Sequence, residues 1–204
     1  MSVKLAIIYY SMMGTNYKLA RLAEEGAKEV NAEVRVLKVP ELAPTEVIES
    51  VAPWKAHVDA TAQVPTATLE DLDWADAIIF SMPTRFGGVP SQIKQFLDTA
   101  GTLWGQGKLA NKVVSGMSSA QNSHAGQEAT ILSLYTSMYH WGAIVAAPGF
   151  TDASAFKSGG NPYGTSVTVD EDGKFLEDAA AVEDSVRHQA KRTVTIAKWV
   201  KEGK

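Results

Sequence analysis

Short, nearly continuous apolar runs alternate with helix-length amphipathic segments along these 204 residues, and that alternation restricts the fold more than any other feature. The first run, residues 3–10, is rich in β-formers and lacks the polar alternation of a half-exposed strand, so both of its faces must be covered. Residues 75–82, 112–117 and 142–147 repeat this pattern, and residues 33–39 alternate as a further strand. Between the first two strands Leu19, Leu22, Ala23, Ala27 and Val30 recur at helical spacing. Further helices are expected over residues 90–100, 126–141 and 177–201. Strands separated by helices run parallel, so the pattern predicts an α/β protein with an open, doubly wound, five-stranded parallel sheet and helices on both faces.

A single domain over residues 1–204 accommodates this, with two excursions at about 40–68 and 148–173. The first carries Pro40, Pro44, Pro53 and Pro65 and reads as irregular chain with one short helix. The second holds the turn cluster Gly159-Gly160-Asn161-Pro162-Tyr163-Gly164, then an alternating stretch at 165–169 and the turn Asp172-Gly173. A charged share of 21% and a net charge of -4 give no electrostatic reason to expect nucleic acid. With no cysteine, thiol nucleophiles, disulfides and Cys-ligated metals are excluded, and redox work requires a borrowed cofactor. The apolar start is too short to span a membrane and lacks a cleavage signature, so no membrane insertion and a cytoplasmic location are expected.

In a doubly wound sheet the ligand site lies beyond the carboxyl ends of the strands, which directs attention to three loops. Ser11-Met12-Met13-Gly14-Thr15-Asn16 joins a buried strand to a helix N-terminus, where unpaired amides favour an anion. It has no Lys or Arg before Lys18 and lacks the ending of a P-loop, which suits a phosphate monoester held by neutral donors. The same residues equally suit a plain capped helix with Ser11 or Thr15 as cap. Pro83-Thr84-Arg85-Phe86-Gly87-Gly88 offers close backbone approach to a flat ligand and a fixed positive charge at Arg85, or else a surface turn with a solvated arginine. Ser118-Ser119-Ala120-Gln121-Asn122-Ser123-His124-Ala125-Gly126 is again small and polar. Together the three make a cleft for one long, planar, phosphate-bearing ligand.

Two other readings compete. His57, His124, His140 and His188 show no metal-ligand spacing, so no metal is expected, and His140 also suits a helix C-terminus electrostatically. Gly116-Met117-Ser118-Ser119-Ala120 imitates a nucleophile elbow followed by Asp152 and His188 in hydrolase order, but that reading leaves the first two loops without purpose.

Tyr9-Tyr10-Ser11-Met12 with Gly14, the Pro83-Thr84-Arg85-Phe86-Gly87 run, Leu103-Trp104, Gly126-Gln127-Glu128, and Gly159-Gly160 with Pro162-Tyr163-Gly164 give the whole chain a family resemblance. It resembles the tryptophan-repressor-binding-protein-like (WrbA-type) NAD(P)H:quinone oxidoreductases, of the flavodoxin-like superfamily. The resemblance implies strand order 2-1-3-4-5 and FMN held by Ser11 to Asn16 at its phosphate, by Pro83, Thr84, Arg85, Phe86 and Gly87 along the ring, and by Ser119 to His124 at the remaining edge. It places His140 as another flavin contact, Trp104 on the substrate side, and Met13 against the nicotinamide. Met13 and Thr15 stand where relatives often carry Tyr and His, and residues 120–124 replace a glycine-rich run.

The implied activity is two-electron reduction of a quinone by NADH or NADPH, the two substrates using one cleft in alternation, in a homotetramer whose clefts are completed by neighbouring subunits. Direct transfer needs a donor carbon roughly 3–3.5 Å from the acceptor, which stacking surfaces such as Trp104 and Phe86 supply without acid–base groups. The rival is a non-catalytic flavodoxin-like electron carrier or regulatory flavin-binding protein, although carriers usually dock through a strongly acidic face. Azo or nitro compounds would share the same chemistry.

Overall fold

In the computed structural model, which describes residues 2–203, the apolar runs lie side by side as one parallel sheet. The elements in chain order are β1 (Lys4–Tyr9), α1 (Thr15–Glu29), β2 (Glu33–Lys38), α2 (Thr45–Glu49), α3 (Ala52–Ala60), α4 (Leu69–Trp74), β3 (Ala77–Pro83), α5 (Ser91–Thr99), α6 (Gly101–Gly105), β4 (Val113–Ala120), α7 (Gln127–Trp141), β5 (Ile144–Val145), α8 (Ser154–Lys157), β6 (Ser166–Thr168) and α9 (Ala179–Lys201). The strand order is β2-β1-β3-β4-β5, as the resemblance implies. Met1 and Lys204, the ends of the expected domain, lie outside the described residues.

The continuous hydrophobicity of the central strands reflects two cores. Leu5, Ile7, Tyr9, Ala77 and Ile79 face α1 and α9, whereas Ala6, Ile8, Ile78, Phe80 and Met82 face α4, α5 and α7. Every residue of β3 is buried, which explains why period-two alternation is absent there. β2, at the edge, alternates and carries charge, as an unpaired edge should.

The sheet has a sixth strand where five are expected. β5 pairs only with the start of β4, through Val113 and Val114, and β6 pairs with its end, from Ser118 to Ala120. The two short strands therefore share the fifth position, and the alternating stretch at 165–169 belongs to the sheet and not to an excursion. Between them, side chains take the place of the missing strand. The Gly116 amide donates to the Tyr135 hydroxyl (3.1 Å), and the Gly116 carbonyl accepts from Gln189 Nε2 (2.8 Å). Tyr135 in turn donates to the Tyr163 carbonyl (2.6 Å), and Gln189 Oε1 accepts from the Thr165 amide (2.7 Å). Burial pushes the Tyr135 phenol up to about 12, so it stays a donor throughout the neutral range.

The first excursion holds two short helices and not one, because its prolines start helices as well as interrupting chain. Pro44 is the N-cap of α2, and Pro53 sits in the first turn of α3, where its missing N–H costs nothing.

A Cβ added at Gly164 would stand 1.9 Å from the Gly116 carbonyl oxygen, so this position at the strand gap admits only glycine. Gly164→Ala is expected to destabilise the fold by about 2 kcal/mol or more, as a backbone-directed overpacking does. Gly101→Ala, with open space around it, serves as the control in denaturant unfolding. Equal midpoints for the two variants would contradict the tight closure.

Candidate functional site

The carboxyl ends of β1, β3 and β4 open into a cleft of about 570 Å³, within the size range of cofactor sites. Its first wall is the turn between β1 and α1. Gly14 adopts φ +99 at the N-cap of α1, a backbone state that side-chain-bearing residues rarely adopt. Its amide donates to Ser11 Oγ (3.0 Å). The amides of Met12, Met13, Thr15 and Asn16 find no acceptor among the described residues, leaving donors open at the end of the helix dipole. Ser11, Met12, Met13, Thr15 and Asn16 line the cleft. Asn16 is nevertheless buried, and its side chain is spent on the protein: Nδ2 donates to Ser119 Oγ (2.8 Å), and Oδ1 accepts from Ser81 Oγ (3.3 Å).

The second wall is a tight turn. Arg85 and Gly88 exchange both backbone hydrogen bonds (3.0 and 2.9 Å) around Phe86 at φ 51 and Gly87 at φ 77, the pattern of a type I′ turn. A left-handed phenylalanine costs about 1–3 kcal/mol, and strain of this kind persists only where the surroundings enforce it. Here Thr84 Oγ1 receives the Gly87 amide (3.2 Å), lies 2.8 Å from Thr130 Oγ1, and reaches the Ala125 carbonyl (3.3 Å). The turn also lies flat on the start of α7, where a Cβ at Gly126 would stand 2.7 Å from Gly87 Cα. Phe86 is thereby held fully exposed at the cleft's edge. Pro83 and Arg85 line the same wall. The Arg85 guanidinium reaches across to Met12 Sδ (3.6 Å) and has no carboxylate partner among the described residues.

Ser119, Ala120, Gln121, Asn122 and His124 form the third wall, whereas Ser123, Gly14 and Gly87 support the walls without lining the cleft. Trp104 and His140 lie elsewhere. α5 and α7 run back from the cleft toward the opposite edge of the sheet, and beyond the end of α5 Trp104 Nε1, in α6, donates to the His140 carbonyl (2.8 Å), both side chains being exposed. The structure thus pairs these two residues with each other and apart from the cleft of their own chain. The cleft also takes in residues that sequence reasoning missed: Pro53 from α3, and a lip formed by Val169, Asp170, Glu171, Asp172 and Gly173. The lip was signalled by Asp172-Gly173 directly after the alternating stretch, which once placed beside β4 puts that turn at the same sheet edge.

Ser118 and Ser119 are buried in β4, while His188 meets Thr151 Oγ1 (2.8 Å) and lies 3.9 Å from Asp152 on the second excursion. The serine–histidine pair of a hydrolase is therefore not assembled. No helix among the described residues is long and apolar enough to cross a membrane.

The residues fit a phosphate-bearing planar cofactor: open amides at one end, an unpaired guanidinium across from them, and polar walls between.

Sheet order, two-sided helix cover and a cleft at the β1/β3 switch point define a flavodoxin-like α/β protein. Solved structures similar in fold include a WrbA-like flavodoxin from Agrobacterium tumefaciens (TM-score 0.63, 19% identity, 97% of this chain and 98% of that one) and a flavodoxin from the domain Archaea (TM-score 0.60, 16% identity, 96% and 99%). The chain belongs to the NADPH-dependent FMN reductase family, whose model matches residues 3–156. Among its relatives, a Deinococcus radiodurans protein named NAD(P)H dehydrogenase (quinone) is 52% identical over 95% of both chains. An Aromatoleum aromaticum protein of the same name is 38% identical over 99% of both.

Thr84→Val keeps the shape of the second turn's anchor and removes its hydroxyl, leaving the Gly87 amide without its acceptor. A stability loss of about 1–3 kcal/mol is expected, with faster hydrogen exchange at Gly87. Unchanged exchange there would show that Thr84 does not hold the turn.

Proposed function

We propose that this protein is an FMN-dependent NAD(P)H:quinone oxidoreductase in which nicotinamide and quinone occupy one cleft in turn. One observation carries the reading: the acceptor-free amides of Met12, Met13, Thr15 and Asn16 share a cleft of cofactor size with Arg85, which has no carboxylate partner among the described residues, in a chain 52% identical to a protein named NAD(P)H dehydrogenase (quinone).

Ser11, Met12, Met13, Gly14, Thr15 and Asn16 hold the FMN phosphate, with amides and hydroxyls as donors. Pro83, Thr84, Arg85, Phe86 and Gly87 lie along the ring, and the fixed charge of Arg85 stabilises negative charge that develops nearby. Ser119, Ala120, Gln121, Asn122, Ser123 and His124 close the remaining edge. Bound FMN supplies a ring that takes up a hydride and gives back two electrons. The chain's own contribution is to bind, orient and tune, and Phe86 and Met13 offer apolar surface to the incoming substrate. Trp104 and His140, distant from their own cleft, serve the cleft of a neighbouring copy in a homotetramer. The exposed Tyr139 next to His140, and Leu132 about two turns earlier on α7, suit such an interface. A cysteine-free chain suits the reducing cytoplasm.

FMN titrated into the protein is expected to bind at micromolar concentration or tighter. The loaded protein should then reduce benzoquinone with NADH far faster than free FMN does; only the free-flavin rate would favour an electron carrier. Double-reciprocal plots should give parallel lines, and intersecting lines would exclude alternating use of one cleft. Trp104→Ala is expected to raise the quinone KM severalfold, and a fully active monomer in sedimentation would remove the shared-cleft part of the account.

A further inference from the structure

The phosphate end of the cleft, as assigned above, has little cationic help from its own loop. Lys18 lies over the Phe175 ring (4.2 Å), Arg21 pairs with Glu24 (2.6 Å), and Lys38 Nζ donates to the Thr61 carbonyl (2.7 Å). α3, from the first excursion, reaches this end. Its Pro53 lines the cleft, and one turn later His57 Nδ1 lies 3.5 Å from where a Cβ at Gly14 would stand. The imidazole packs on Tyr17 with ring centroids 5.9 Å apart, and neither ring nitrogen has a hydrogen-bond partner among the described residues. Trp54 on the same helix is buried, with its Nε1 also lacking an acceptor. An imidazole with free nitrogens, set against the middle residue of a phosphate-binding turn, is short of an acceptor in the place where a phosphate oxygen would supply one.

We propose that His57, which α3 brings against Gly14 in the Ser11–Asn16 turn next to the cleft-lining Pro53, is a ligand of the cofactor's phosphate monoester. This rests on the FMN reading above and adds to it a residue from outside the three strand-end loops. The groups facing His57 are Tyr17 on α1 and Lys38 at the end of β2, and its own helix carries the exposed Lys55–Asp59 pair. Burial first, and then the Lys38 charge, hold its imidazole below the ordinary histidine range. In the free protein it is therefore largely neutral at pH 7, and an arriving phosphate dianion favours its protonation. Binding then takes up a proton. FMN affinity rises as pH falls through the histidine's bound-state value and levels off below its free-state value.

The test compares dissociation constants of FMN and riboflavin, read by fluorescence quenching between pH 6 and 8.5, for wild type, His57→Gln and His57→Lys. His57→Gln is expected to weaken FMN about tenfold at pH 6.5, the size of one charge-assisted hydrogen bond, and to leave riboflavin, which has no phosphate, unchanged. The wild-type advantage over His57→Gln should shrink toward pH 8.5. Titration of the FMN phosphate itself near pH about 6 is common to all three proteins and cancels in the ratio. His57→Lys should restore affinity without that pH-dependent advantage. Equal FMN affinities of wild type and His57→Gln across the range overturn the proposal, and so does an equal loss for FMN and riboflavin, which would make His57 a packing residue. Failure of wild type to bind FMN at all removes the cofactor reading itself, a result distinguishable from either.

Discussion

Asn16 is the interaction on which the cleft depends. A parallel sheet ends in turns that leave in different directions, and nothing in the sheet's own hydrogen bonding obliges them to converge. Asn16 imposes convergence: from the first turn of α1 it donates to Ser119 at the end of β4, and its side-chain and backbone carbonyls accept from Ser81 in β3. All three groups are buried, so releasing any one leaves polar atoms unpaired at a cost of about 1–3 kcal/mol each. The amide that sequence reasoning assigns to a ligand thus acts one step behind it, fixing where the neighbouring free amides point. Thr84 extends the same logic, since its amide donates to the Ser119 carbonyl (2.9 Å) while its hydroxyl organises the Arg85–Gly88 turn.

The divided fifth position of the sheet shows how an interruption is tolerated at this edge. A strand gap exposes backbone groups that must find partners, and here Tyr135 from one helical layer and Gln189 from the other supply them. The gap is closed by side chains of α7 and α9, which ties both cores to the middle of β4. Residues 147–163 lie outside the ladder, between the Ala146 amide bonded to Val114 and the Thr165 carbonyl bonded to Ser118. β6 returns alongside the end of β4 and delivers the acidic turn at 170–172 to the cleft's lip.

The central architecture was legible because burial on both faces writes itself into sequence as unbroken apolar runs, as at residues 3–10 and 75–82. What was not legible depended on side chains far apart in sequence. The strand at 166–168 is three residues long, and its place beside β4 follows from Thr165 bonding to Gln189, which no local pattern encodes. The prolines at 44 and 53 marked chain that departs from the core, yet the same residue type opens short helices, so breaker and initiator could not be told apart. At the site, the three strand-end loops follow from topology alone. Pro53 in the cleft wall, and His57 behind Gly14, come from an excursion whose path over the first turn is a tertiary fact, and Trp104 and His140 sit where α5 and α7 have carried the chain away from the cleft.

The displacement of Trp104 and His140 follows from that same topology. In a parallel α/β unit the helix after a strand begins at the carboxyl edge and descends, so a residue near its C-terminus is always carried away from its own chain's cleft. Trp104, in α6 just past the C-terminus of α5, and His140 at the end of α7 follow from this rule together, and the hydrogen bond from the indole to the His140 carbonyl fixes them as one unit. A surface unit built this way cannot act on its own cleft by any local motion, because reaching it would require reversing α7 through a core in which Ile131, Leu134, Tyr135 and Met138 are buried. A functional role for the pair at a cleft is therefore inseparable from assembly: either a second chain presents its cleft to this edge, or the pair is part of a contact surface and no more.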